Sequence, residues 1–74
     1  METTFANEFL KVYDRLIAEG VITFARTGIN KEEFTNLCID PGFVLEEERF
    51  QLIADRMGLD DDTRARLEEL ADFD

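Results

Sequence analysis

Along most of the chain, apolar side chains return every three or four positions, the spacing that gathers them on one face of a 3.6-residue helix. Phe5, Phe9, Val12, Tyr13, Leu16 and Ile17 predict a first helix from about Phe5 to Glu19, capped by Thr3 or Thr4 and stopped at Gly20, where a left-handed residue belongs. The segment from Val21 to Thr27 is β-branched enough to suit a strand. No second strand lies nearby to pair with it, so a short helical turn capped by Thr23 is expected instead. Asn30, with Glu33 three positions on, predicts a capping box and a helix whose buried stripe is Phe34, Leu37 and Cys38. Asp40-Pro41-Gly42 reads as a turn. A fourth helix is predicted from about Leu45 to Met57, with Phe50, Ile53, Ala54 and Met57 as its core face and Gly58 as its stop. Asp60 or Asp61 then caps a last helix carrying Leu67, Leu70 and Ala71, with Phe73 near its end.

The middle helices are too short for long parallel packing, so the pattern implies an all-α fold, a compact orthogonal bundle of four to five short helices with residues 1–74 as a single helical domain. A chain of 74 residues buries only about 60% of the surface its unfolded form exposes, and small scaffolds often add disulfides or a metal. Here Cys38 is the single cysteine and histidine is absent, which excludes an intrachain disulfide and a Cys/His zinc site. No metal and no cofactor is expected. No apolar run reaches the roughly 18 residues of a membrane span, and the opening METTFANEF lacks the basic start and apolar stretch of a signal peptide. A cytoplasmic location with no membrane partner is the resulting expectation.

Charge ranks the partners. Eighteen acidic against eight basic residues give a net charge of −10. Binding a polyanion depends on Lys and Arg displacing counterions from phosphates, so this balance disfavours nucleic acid. It favours a protein with a basic surface, approached quickly and with salt sensitivity. The charge is uneven: residues 45–74 hold 11 acids and 4 bases, a net −7, whereas residues 21–44 hold 3 acids and 2 bases, a net −1.

Two acidic triplets, Glu46-Glu47-Glu48 and Asp60-Asp61-Asp62, stand at the predicted starts of the last two helices. Carboxylates there gain about 0.3 to 1 kcal/mol each from the helix dipole, but three per terminus exceed what capping needs. These six are the candidate partner-binding residues. Phe43, after the Pro-Gly turn, and Phe73, in an Asp-Phe-Asp tail, are candidate exposed anchors beside them. The aspartates lack the alternating ligands, the glycine and the glutamate of a calcium loop. Cys38 has no histidine to activate it and lies on an apolar stripe, which predicts a small buried hydrophobe. A chain this small offers few walls for a pocket of about 300 Å³, so catalysis is not expected. The leading reading is a non-catalytic binding module, an inhibitor or adaptor of a phage or other mobile element. If its basic target is a nucleic-acid channel, it is similar in kind to anti-CRISPR DNA mimics.

From Gly20 to Leu70 the order of short helix, Gly28-Ile29 turn, capped helix, turn, and a helix whose ending reads Ile53-Ala54-Asp55-Arg56-Met57-Gly58-Leu59-Asp60 resembles the Cro/repressor type of helix-turn-helix domain. The resemblance implies a helix-turn-helix-like fold with Asn30 to Ile39 as the recognition helix. Lys31, Thr35 and Asn36 would then be the DNA contacts, and a homodimer would place two such helices about 34 Å apart. Arg26, Arg49 and Arg56 would join Lys31 in a basic patch. The same stretch offers no Arg or Gln on the recognition helix for bidentate base contacts, and Glu32 and Glu33 offset Lys31. A Cro-type transcriptional regulator is therefore the alternative to the acidic binding module.

Overall fold

Most of the helices begin where a side chain can accept a free amide. The computed structural model describes residues 3–73 and contains α1 (Phe5–Ala18), α2 (Phe24–Thr27), α3 (Lys31–Ile39), α4 (Glu47–Met57) and α5 (Asp61–Ala71). The Thr4 hydroxyl accepts from the Asn7 amide at 3.2 Å, and the Asp60 carboxylate accepts from the Thr63 amide at 2.9 Å. At α3 both halves of the capping box are closed, the Glu33 amide donating to Asn30 and the Asn30 amide to Glu33. Gly20, at φ +75°, lets α1 end in a Schellman motif, with the Val21 amide donating to the Leu16 carbonyl and the Gly20 amide to that of Ile17.

Two elements depart from the pattern. Helix α2 is a single turn to which Thr23 contributes no side-chain cap bond. It is secured from its other end by Thr27, which is fully buried. The Thr27 hydroxyl donates to the Phe24 carbonyl at 2.7 Å and accepts from the Ile29 amide at 3.2 Å, so no polar group is stranded in the core. Helix α4 begins two residues later than its periodicity implies. Leu45 is drawn into the core at 2% exposure, and Glu46 remains extended as a cap without a side-chain bond.

The core is one cluster to which α1 contributes Phe5, Ala6, Phe9, Val12 and Tyr13, and α4 contributes Phe50, Ile53, Ala54 and Met57. Leu37 of α3, Leu67 of α5 and the connecting Ile22, Ile29 and Leu45 complete it. Phe5 lies 5.7 Å from Phe9 and 5.6 Å from Phe50, centroid to centroid. The radius of gyration is 11.3 Å, which matches the ~11 Å of a compact chain of this length. The result is an all-α bundle with no strand among the described residues. No helix among them is long and apolar enough to cross a membrane.

Three side chains sit elsewhere than the sequence pattern implies. Cys38 is exposed: α3 turns Glu33, Phe34 and Leu37 inward, and the next position is carried about 100° round to the outer flank. Phe73 is half-buried, its ring 5.5 Å from Phe50 and 6.4 Å from Phe5. Phe43 is half-buried against the same core. Neither phenylalanine is a fully exposed anchor: Phe73 packs on Phe5 of α1 and Phe50 of α4, and Phe43 packs against the core beside α3.

Candidate protein-binding surface

All six carboxylates of the two triplets are exposed. Among the described residues the ion pairs are Arg49–Glu33, Arg64–Asp55 and Arg66–Glu8, and none includes a triplet member. Asp60 spends its carboxylate on capping α5, and hydrogen bonds from Thr63, with Arg15 nearby, hold it below the usual aspartate value. The triplets do not converge. Glu46-Glu47-Glu48 open α4 and Asp60-Asp61-Asp62 follow its end, so the eleven residues of α4, about 16 Å of helix, stand between them.

A hydrogen-bonded seam joins α4 to α5 between these acidic ends. The Arg64 guanidinium donates to the Gln51 amide oxygen through Nε at 3.0 Å and again through Nη2. Its Nη1 meets Asp55 Oδ1 at 2.8 Å, and Gln51 Nε2 donates to Glu68 at 2.7 Å. Arg64 thus offsets Asp55, in the last turn of α4, and leaves the triplet carboxylates at the two ends without an ion pair among the described residues.

The nearly neutral middle of the chain is organised by a different arginine. Arg49 grips Glu33 with two parallel bonds, Nη2 to Oε1 at 2.6 Å and Nε to Oε2 at 2.9 Å, and donates to the Gly28 carbonyl at 2.8 Å. The guanidinium holds the Glu33 carboxyl below its ordinary value, and the carboxylate raises Arg49 in return. One side chain therefore ties α4 to the cap of α3 and to the turn before it. Sequence reasoning missed this clip. Glu33 was legible as a cap, but its partner sixteen residues away is set by packing. Of the basic residues grouped in the sequence, Arg49 is thereby occupied, Arg56 packs against the same Gly28, and Arg26 and Arg56 line a cleft with Val21, Ile22 and Met57.

On α3 itself Lys31 and Thr35 are exposed and Asn36 is half-buried. The Thr35 hydroxyl donates to the Lys31 carbonyl at 2.9 Å. An open surface recess of about 830 Å³ runs between the start of α1, the Pro41-Gly42 turn and α5. Glu8 lines this recess and is held by Arg66 at 3.2 Å. Phe43 borders a smaller recess together with Glu46 and Arg49. In comparisons with known proteins, no family model, curated protein or solved structure matches this chain.

Proposed function

We propose that the chain is a non-catalytic, cytoplasmic protein-binding module that engages a basic partner surface through the two acidic ends of α4. The observation that carries this reading is the set of six exposed triplet carboxylates with no ion pair among the described residues. Acids with no ion pair, fixed in position by the helix termini that carry them, offer a basic partner their attraction without an internal salt bridge having to break first. Their separation by the length of α4 suits a partner with two basic clusters, or one groove long enough to meet both. In its specific form the partner surface is a nucleic-acid channel, and the chain is an inhibitor or adaptor of a phage or mobile element, similar in kind to anti-CRISPR DNA mimics.

The test is a pull-down followed by salt titration of the recovered complex. Affinity should fall as salt rises. Glu46/Glu47/Glu48→Gln and Asp61/Asp62→Asn should each weaken binding by about tenfold, with Asp60 spared because it caps α5. Recovery of only acidic or uncharged partners, or an affinity indifferent to salt, would overturn the proposal. An electrophoretic shift of DNA at micromolar protein and low salt would transfer the function to the alternative, a Cro-type regulator reading DNA with Lys31, Thr35 and Asn36.

A further inference from the structure

The outward side of α3 belongs to the nearly neutral middle of a strongly acidic chain, residues 21–44 carrying a net −1. Thr35, Cys38 and Ile39 are all exposed there, Ile39 at 71%. Phe24, 39% exposed, stands edge-on to the half-buried Phe34 at 5.4 Å and flanks the same helix. The charges of this face sit at its ends, with Lys31 and Glu32 opening α3 and Asp40 closing it.

We propose that this face binds a second copy of the chain, α3 packing antiparallel against α3 about a twofold axis through Thr35. A twofold interface must complement itself, and this one does. Antiparallel pairing about position 35 sets Lys31 of one copy opposite Ile39 of the other. The aliphatic stem of the lysine covers the isoleucine, and its ammonium is directed toward the free oxygen of Asp40, the C-cap one residue beyond, whose Oδ1 accepts from the Gly42 amide at 2.9 Å. The exchange occurs twice. Glu32 falls opposite Cys38 and meets no acid. Thr35 is small enough for helices to approach at about 8–10 Å, and its hydroxyl is already bonded to the Lys31 carbonyl, so covering it strands no donor. Charge selects a second copy over nucleic acid. Residues 21–44 carry −1 of the chain's −10, so two copies repel least through this face, while the single cation of α3 offers a phosphate backbone little. A nine-residue helix is only about 13 Å long and falls short of the roughly 800 Å² per partner of a stable interface. The dimer is consequently weak and depends on concentration.

Sedimentation equilibrium of the full chain from micromolar to millimolar protein tests this. The mass should rise from 8.6 kDa toward twice that value. Ile39→Asp, at a position too exposed to matter for folding, should keep the helical circular dichroism and raise the dimer dissociation constant by at least about tenfold. Lys31→Glu and Asp40→Lys should each weaken the dimer, and the two together should restore it. Thr35→Cys in a Cys38→Ser background should form a disulfide-linked dimer under mild oxidation. Cys38 in the unaltered chain should not, since the two thiols lie about 9 Å apart along the helices, beyond disulfide reach. A strict monomer at millimolar protein, a dimer indifferent to Ile39→Asp, or a charge swap that fails to restore association would each overturn the proposal. So would a DNA shift that Ile39→Asp abolishes.

Discussion

Arg49 shows how much of a small fold can depend on one side chain. It satisfies a carboxylate and a carbonyl from two other segments at once, and its guanidinium fork suits both. Glu33→Gln or Arg49→Met should cost about 1–2 kcal/mol, and the double variant should cost no more than the worse single, as read by urea denaturation. The acid limb follows from the same pair. Because the folded Glu33 carboxyl lies below its ordinary value, the unfolded chain binds the proton more readily. The pair's contribution is complete above the ordinary carboxylate range and disappears as pH falls through the folded value. In Glu33→Gln that part of the acid destabilisation should be absent. Nothing in residues 28–33 announces the pair, because a capping box reads the same whether or not an arginine arrives from elsewhere.

At the scale of elements, boundaries were legible wherever a cap or a glycine fixed them. Thr4, Asn30, Asp60, Gly20 and Gly58 all act as their residue types imply. The start of α4 was not legible, because Leu45 leaves the helical register in response to a core that only the assembled chain possesses. Cys38 was misjudged for a related reason: spacings of three and four fit two adjacent stripes of α3, and Leu37 with the inward Glu33 selects between them. The acidic surface was readable as composition and not as layout, since the separation of the triplets follows from α4 standing between them. One terminus stays strained. Asp72 ends α5 in the left-handed region at φ +59°, where a Cβ is unfavourable. Asp72→Gly should therefore stabilise the fold by about 1 kcal/mol, measurable as a raised Tm.

For the whole molecule, the proposed surfaces divide the charge between them, and salt separates their contributions. Binding of a basic partner at the ends of α4 weakens as ions screen the attraction, whereas association through α3 brings together two chains of −10 whose repulsion the same ions relieve. Rising salt should thus loosen the first complex, whereas in the second the relieved repulsion is set against screening of the two Lys31–Asp40 exchanges and leaves the dimer far less salt-dependent. The seating of Phe73 against Phe5 has a consequence of another kind. It sets the end of the last helix beside the start of the first, since Phe5 opens α1 and Phe73 follows α5. A permuted chain, with residues 3 and 73 joined by a short linker and new ends opened at the exposed Pro41-Gly42 turn, should keep the same core and unfold in one cooperative step. By the same topology, a larger host can carry this domain as an insertion in a surface loop, entering and leaving at one point.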